Sequence, residues 1–266
     1  MKGRVLIIAG SDCSGGAGIQ ADIKTVTVLG GYAATAITAL TVQNTTGVFD
    51  VLGIDPKLIV HQAEVTIDDI GADAIKTGML HSVPVIEAVA KFIRDKAADI
   101  PIVVDPVMIS QSGSRLLNED AVDALIKNMV PLATVLTPNI PEAEVLSGMK
   151  ILTEGDMIEA ARKIGELGAK AVLVKGGHAD GERIVDILWR HDGDIEGFEA
   201  DRIPSENNHG TGCSLASAIA TGLSQGMGLS DAVARARAFV REAIRTAPDF
   251  GKGNGPLNHA HPVTGE

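Results

Sequence analysis

Short apolar runs alternate with segments of helical periodicity along most of this sequence of 266 residues. Runs such as residues 5–9, 102–104 and 171–175 have the length of buried strands, while residues 18–29 and 230–246 have the spacing of helices. Strands that alternate with helices form a mostly parallel sheet with helices on both faces. The sequence therefore predicts an α/β fold. Because it contains no repeat or linker, we expect a single domain over residues 1–266.

Composition and charge argue against several classes of protein. The chain is 45% apolar but only 3% aromatic, and its formal net charge is −11. Nucleic-acid binders depend on Lys and Arg, so this charge argues against a nucleic-acid partner. No apolar run is long enough for a membrane span or a signal peptide, and we expect a cytoplasmic protein. Two cysteines, Cys13 and Cys213, leave a disulfide open but do not form a secreted disulfide framework.

Polar and glycine-rich segments follow the predicted strands. Ligands of parallel sheets bind outside the carboxyl ends of the strands, so we expect the functional site at these segments. They are residues 10–18, 43–47, 77–79, 105–108, 137–142, 175–177 and 208–213.

The sharpest local motif is Gly210-Thr211-Gly212-Cys213, which comes directly before a predicted helix of small residues. A glycine turn at a helix N-terminus offers inward N–H groups and a positive dipole end, and together these form an anion hole. Cys213 falls in the first helical turn, where we expect a lowered thiol pKa and a role as base or nucleophile. The alternative is a glycine-rich loop before a buried helix, with the cysteine as a packing residue.

The segment at residues 10–18 joins the first strand to the first helix. Its glycines stand at 10, 15, 16 and 18, so neither the dinucleotide-binding G-x-G-x-x-G spacing nor the G-x-x-x-x-G-K-[ST] phosphate loop is present. Such a turn can still approach a substrate closely. Asp22, one turn into the helix, could accept a substrate hydroxyl hydrogen bond or could lie on a solvated face.

Further polar residues at strand ends point to nucleotide and metal binding. Asp105 follows an apolar run, Asn139 and Glu142 share one segment, and Lys175 ends a strand within reach of phosphates. Each has an alternative role as a cap, a turn residue or a surface charge. The pair His259 and His261 is a weaker metal candidate, because no cysteine or carboxylate set accompanies it.

Seven blocks in order resemble one known family, the hydroxymethylpyrimidine/phosphomethylpyrimidine kinases, over nearly the whole chain. They are residues 10–25, 43–45, 76–80, 105–108, 137–139, 175–178 and 210–213, and residues 253–259 extend the match. The resemblance implies a ribokinase-like fold. It also implies ATP with Mg²⁺ and two phosphorylations at one site. The first acts on 4-amino-5-hydroxymethyl-2-methylpyrimidine and the second on its monophosphate, for thiamine biosynthesis.

The resemblance also implies a role for each candidate residue. Cys213 corresponds to the base, and Gln43 to the residue that reads the pyrimidine edge through its amide. The remaining correspondences are Gly210, Thr211 and Gly212 for the anion hole, Gly10, Asp22, Met79 and Val107 around the ring, Asn139 and Lys175 for the nucleotide, and Asp105 and Glu142 for Mg²⁺.

The sequence departs from the family pattern at two places. Cys13 stands where proline is more common, beside the substrate turn. The lid, residues 109–113, carries Ser110 near the place where relatives that also phosphorylate pyridoxal have a cysteine, and this lowers the expectation of a pyridoxal or pyridoxine kinase. A pyrimidine- or nucleotide-binding sensor is a further alternative, but retention of the base beside an anion hole argues against it. Relatives of this fold often pair, so the resemblance implies a homodimer.

Overall fold

The chain folds around one mixed sheet, seen in a computed structural model that describes residues 1–108, 117, 119–178 and 181–264. Within those residues nine strands form the sheet. They are β1 (Arg4–Asp12), β2 (Tyr32–Asn44), β3 (Gly47–Gly53), β4 (Ala74–Thr77), β5 (Ile102–Val104), β6 (Val135–Leu136), β7 (Ala171–Val174), β8 (Arg183–Arg190) and β9 (Ile195–Asp201).

The strand order is β3-β2-β1-β4-β5-β6-β7-β8-β9. The six neighbouring strands β2, β1, β4, β5, β6 and β7 pair in parallel. Ile8 of β1, for example, lies beside Ala36 of β2 and Thr77 of β4. The outer strands β3, β8 and β9 pair antiparallel. All carboxyl ends of the parallel strands therefore meet at one edge of the sheet, as the predicted α/β fold requires.

Helices cover both faces of the sheet. They are α1 (Gly18–Val28), α2 (Pro56–Asp69), α3 (Val83–Lys96), α4 (Glu119–Asn128), α5 (Ile140–Ser147), α6 (Glu154–Glu166), α7 (Thr211–Ser224), α8 (Leu229–Arg245) and the short α9 (His261–Thr264). One core lies between the sheet and α2 to α6, the other between the sheet and α1, α7 and α8. Strand β1 alternates between them: Leu6 and Ile8 face the first core, while Val5 and Ile7 face the second.

Local sequence signals explain where several helices begin. Asp55 caps α2 by accepting a hydrogen bond from the Lys57 N–H (2.8 Å), and Pro56 follows at the first helical position. Thr153 and Asp156 form a reciprocal capping box at the start of α6. Within the described ranges no helix has the length and apolarity needed to cross a bilayer.

Candidate active site

A cleft of about 420 Å³ lies along the carboxyl edge of the parallel strands. The predicted site residues that line it are Gly10, Gln43, Met79, Asp105, Val107, Asn139, Glu142, Lys175, Gly210, Thr211, Gly212 and Cys213. The structure thus brings together segments that are spread over 200 residues of sequence, because each follows a strand of the same sheet. Asp22 is the one predicted site residue outside this lining.

Asp12, at the end of β1, organises the turn that leads into α1. Its carboxylate accepts hydrogen bonds from the N–H groups of Ser14 (2.8 Å), Gly16 (3.1 Å) and Ala17 (2.8 Å). It also contacts His209 Nε2 at 2.8 Å, across from the loop before α7. Burial alone would raise the pKa of Asp12, but the hydrogen bonds from His209, Ser14 and the backbone outweigh it and lower the pKa. The buried carboxylate of Asp12 therefore fixes the turn at residues 10–18 against the loop before α7.

The loop that leads into α7, residues 208–212, is called the anion-hole loop from here on. It fits against the same turn so closely that position 210 accommodates only glycine. Gly210, the residue before α7, has φ +85°, and a Cβ there would lie 1.9 Å from the Gly16 carbonyl oxygen. In the first turn of α7, the Thr211 N–H donates to the Asn208 carbonyl oxygen (3.3 Å), while the N–H groups of Gly212 and Cys213 have no partners within the helix and adjoin the cleft. A Cβ at Gly212 would lie 3.3 Å from Lys175 Nζ. The loop thus places backbone donors beside a lysine, and this arrangement suits a phosphoryl group.

Cys213 is a free thiol, half-buried in the cleft wall. The expectation of a lowered thiol pKa is wrong for the ligand-free site. Burial raises the pKa of Cys213 to about 11, and the positive charge of Lys76 and a hydrogen bond from the Gly18 N–H offset only part of that effect. The helix N-terminus can be read from the sequence, whereas desolvation of the thiol depends on the tertiary packing around it. Cys13 is also free and is exposed.

Gln43 projects into the cleft from β2 beside Thr41, two residues earlier. Gln43 Nε2 donates to Thr41 Oγ1 (2.7 Å), which donates to the Ser11 carbonyl oxygen (2.9 Å). The register of β2 against β3 shifts between Val42 and Gln43, where Phe49 of β3 is left unpaired as in a β-bulge. Cys13 joins this network because its Sγ donates to the Gln43 carbonyl oxygen at 3.2 Å.

Met79 and Gly10 form an apolar wall next to Gln43. A Cβ at Gly10 would come within 2.8 Å of the Met79 methyl group, so the glycine makes room for that side chain. The Met79 carbonyl oxygen accepts a hydrogen bond from Thr38 Oγ1 (2.6 Å), which fixes the backbone there. Val107 lines the cleft as well. This end of the cleft can therefore hold a flat, mostly apolar ring that has a polar edge.

Lys175 and two carboxylates lie at the ends of β5, β6 and β7. Lys175 Nζ is 3.2 Å from Asp105 Oδ1. Glu142 accepts hydrogen bonds from the N–H groups of Asn139 (2.9 Å) and Met108 (3.3 Å), and Asn139 caps α5 in return. Burial, together with the nearby Asp105, raises the pKa of Glu142. Burial alone would lower the pKa of Lys175, but Asp105 and Glu142 raise it. The group thus pairs one ammonium with two buried carboxylates at the carboxyl edge of the sheet.

Sequence reasoning missed a second ion pair at this end of the cleft. Asp186, buried on β8, accepts hydrogen bonds from Arg237 Nε and the Gly176 N–H, both at 2.7 Å. Arg237 also lies over the Phe198 ring, 5.6 Å from its centre. Together these contacts hold the backbone after β7 against α8. Only an aspartate inside an apolar strand could have indicated this contact in the sequence.

The structure differs from the sequence-based expectation at Asp22. Its side chain is fully buried behind the cleft, and both carboxylate oxygens contact Lys76 Nζ at 2.9 Å. Ser217 Oγ donates to the same carboxylate (2.7 Å). Asp22 is therefore already bound to protein partners and does not face a substrate. Lys76, which does line the cleft, is absent from the sequence-based predictions of site residues, although a lysine within the apolar run of β4 is an unusual residue.

The weaker metal candidates, His259 and His261, contact other parts of the protein instead. His259 is buried and shares a hydrogen bond with Ser214 Oγ (2.8 Å), while His261 Nε2 lies 3.1 Å from the Phe239 carbonyl oxygen. Burial lowers the pKa of His259 to about 4. Both side chains thus hold the C-terminal segment to α7 and α8. The predicted lid at residues 109–113 lies outside the described residues.

Sheet order, anion-hole loop and paired carboxylates together place the chain in the class of ribokinase-like small-molecule kinases. A Bacillus subtilis pyridoxal kinase, solved as its ADP complex, superimposes with a TM-score of 0.89 at 39% identity, covering 98% of each chain. This match confirms the predicted fold.

Sequence comparison identifies the family. The model for phosphomethylpyrimidine kinase matches residues 12–258, and the chain belongs to this family. It is 45% identical to the hydroxymethylpyrimidine/phosphomethylpyrimidine kinase of Rhizobium meliloti, covering 98% of both chains. It is 49% identical over 97% of its length to the Geobacter sulfurreducens thiamine biosynthesis bifunctional protein ThiED, of which it spans 52%. The predicted family resemblance is confirmed.

Proposed function

We propose that the chain is an ATP-dependent kinase that phosphorylates 4-amino-5-hydroxymethyl-2-methylpyrimidine and then its monophosphate, in thiamine biosynthesis. The observation that carries this proposal is the presence, in one cleft, of Cys213 and its anion-hole loop together with Gln43 and an apolar wall. The near end-to-end match to the Rhizobium meliloti enzyme supports the same substrates.

Gln43 and its neighbours would bind the acceptor. A primary amide both donates and accepts, which matches the alternating ring nitrogen and amino group of an aminopyrimidine. The hydrogen bond to Thr41 fixes one amide hydrogen and thereby orients the group. Met79 and Val107 offer apolar surface to the ring and its methyl group. We infer that the hydroxymethyl group then points toward Cys213.

Lys175 and Asn139 would bind the nucleotide at the other end of the cleft. The Bacillus subtilis pyridoxal kinase of the same fold binds ADP, and we infer ATP as the cosubstrate here. Asp105 and Glu142 fit a divalent cation because both carboxylates are buried at the same end of the cleft, and each carboxylate oxygen has a second lone pair. These two residues would hold Mg²⁺, which neutralises phosphate charge during transfer.

The residues of the chain suggest how the first transfer proceeds. Cys213 Sγ takes the proton of the hydroxymethyl oxygen, and that oxygen forms a bond to the γ-phosphorus. The bond between the γ-phosphorus and the bridging oxygen breaks, and ADP leaves. Amides in the first turn of α7 and the ammonium of Lys175 stabilise the charge on the transferring group. Most of the catalysis then comes from positioning and electrostatics rather than from a covalent enzyme intermediate.

A second candidate function, pyridoxal or pyridoxine kinase, is supported by the close superposition on the Bacillus subtilis enzyme. Such a substrate is also a flat ring with a hydroxymethyl group. The primary amide of Gln43 favours the aminopyrimidine, since it can use both its donor and its acceptor there. A sensor without catalysis is the third candidate, and the cleft argues against it by retaining Cys213 beside Lys175 and the anion hole.

The test is ATP consumption by the purified protein with Mg²⁺, with hydroxymethylpyrimidine or pyridoxal as acceptor and products identified by mass. We expect the pyrimidine to give mono- and diphosphate at least tenfold faster than pyridoxal gives its phosphate. Faster turnover of pyridoxal would replace the pyrimidine assignment and leave the phosphoryl-transfer site intact. ATP binding without turnover of either acceptor would favour the sensor.

We also propose that the protein is a homodimer that pairs through the β2–β3 edge. β3 is the outermost strand of the sheet, and nearly all of its side chains are exposed. Leu40 and Leu52 stand opposite each other on one face, with Val42 on the same face. An apolar face on an open sheet edge is a site for association unless it is covered. A second copy of the chain would cover it.

A further inference from the structure

Lys76 is fully buried, which is rare for a lysine. Its ammonium group lies between both carboxylate oxygens of Asp22, each 2.9 Å from Nζ. Ser217 Oγ donates to the same carboxylate at 2.7 Å. Burying an ion pair costs desolvation energy that its mutual attraction often only balances, so stability alone is a weak reason for keeping one.

The ion pair lies next to the reacting end of the cleft. Lys76 contributes to the cleft wall, and a Cβ at Gly78 would lie 3.1 Å from its Nζ. Ser217 follows Cys213 by four residues on α7, so both side chains are on the same face of the helix, one turn apart. Asp22, which contacts Ser217, therefore places the ammonium of Lys76 beneath the helical turn that carries Cys213.

Several charged and dipolar groups from separate elements face the Cys213 thiol. They are Lys76 on β4, Asp22 and the Gly18 N–H on α1, Asp105 after β5 and Lys175 after β7. Burial is the largest influence on the thiol and raises its pKa. The positive charge of Lys76 is the largest influence that lowers this pKa, and its effect is larger than the opposing effect of Asp22. Removing the whole ion pair should therefore make the thiol harder to deprotonate.

We propose that Lys76 is a positioning residue for Cys213, an inference that rests on the proposed kinase function. Its ammonium is held by Asp22, whose carboxylate also accepts a hydrogen bond from Ser217, and it stabilises the Cys213 thiolate that accepts the hydroxyl proton of the acceptor. The proton moves from the hydroxymethyl oxygen to Sγ, and Lys76 itself neither gains nor loses a proton. Lys76 touches neither the acceptor nor the nucleotide in this role, and it acts only through the charge state of Cys213.

The test compares Lys76→Met with the double variant Asp22→Asn/Lys76→Met. The double variant avoids leaving a buried carboxylate without its cation, and it keeps the test open if the single variant does not fold. The measurement is the rate of Cys213 alkylation by iodoacetamide in ligand-free protein between about pH 7 and 10, read by peptide mass so that Cys13 is counted separately. Alkylation requires the thiolate.

We expect Cys213 alkylation to slow by about three- to tenfold at a given pH. A rise of one pKa unit removes about tenfold of the thiolate, and the higher nucleophilicity of the more basic thiolate returns part of that loss. The pH profile of the first phosphoryl transfer should move to higher pH in parallel. Lys91→Met is the matched control, because Lys91 is exposed and pairs with Asp95 on the same helix, so its profiles should coincide with wild type.

A purely structural role for Lys76, as a link between β4, α1 and α7, predicts a different result. Folded variants whose alkylation and activity profiles keep the wild-type pH dependence would overturn the proposal, even if their melting temperatures fall. The alkylation rate does not depend on turnover, so the two proposals can fail separately. Wild-type protein that phosphorylates neither ring, but shows Lys76-dependent alkylation, would refute the kinase function and still support the coupling of Lys76 to Cys213.

Discussion

At the scale of single residues, Cys213 should matter for only one of the two phosphorylations. The first acceptor is an alcohol, whose proton must be removed during transfer. The second acceptor is a phosphate monoester, which has lost its second proton above a pKa of about 6 and needs no base. We therefore expect Cys213→Ala to lower kcat of the first transfer by about 10²- to 10⁴-fold, and that of the second by less than about threefold.

Supplying either the hydroxymethylpyrimidine or its monophosphate as the starting acceptor separates the two steps, with ADP release as the readout. The pH dependence gives a second check in wild type. Since the pKa of Cys213 in the free enzyme is raised to about 11, the thiolate fraction increases with pH, and kcat/KM of the first transfer should rise through pH 7 to 10. Equal losses on both acceptors would mean that Cys213 acts by packing, not as a base.

At the scale of elements, the site depends on how closely the loop before α7 fits against the turn after β1. Gly210→Ala would put a methyl group against the Gly16 carbonyl oxygen and would also strain a positive φ. Gly226→Ala imposes a similar strain, since φ is +83°, but nothing lies within 4 Å of the added methyl group. Comparing the two variants therefore separates the effect of backbone strain from the effect of disturbing the contact between the loop and the turn.

We expect Gly226→Ala to cost about 1 kcal/mol of unfolding free energy and to leave kcat close to wild type. Gly210→Ala should cost more stability and lower kcat by at least about 100-fold, because the anion-hole amides move with the loop. Thermal unfolding and steady-state kinetics on both variants provide the comparison. Full activity in Gly210→Ala would show that the first-turn amides are not needed where this structure places them.

The elements themselves were largely predictable from the sequence, and the reason is physical. Apolar runs and helix signals are local, so the bounds of β5 and of α1 agree with the prediction to within a residue. The cleft lining followed from one rule about the carboxyl edge of parallel strands. Burial depends on tertiary packing, which no local pattern contains. Hence the Lys76–Asp22 pair and the raised thiol pKa of Cys213 escaped the sequence argument.

At the scale of the whole molecule, the proposed homodimer depends on the open β2–β3 edge. Phe49 and Leu52 are 66% and 64% exposed. A charge at Leu52, opposite Leu40, would have to be desolvated if a second copy covered that face. We expect light scattering after size exclusion to give a dimer for wild type and a monomer for Leu52→Lys. Leu152→Lys, at a leucine that is 87% exposed in the loop between α5 and α6, is the matched control and should remain dimeric.

Because Gln43 lies on β2 next to this face, the monomer should also bind the pyrimidine more weakly, with a higher KM and little change in kcat. A wild-type monomer at tens of micromolar, or a dimeric Leu52→Lys, would rule out pairing through this edge.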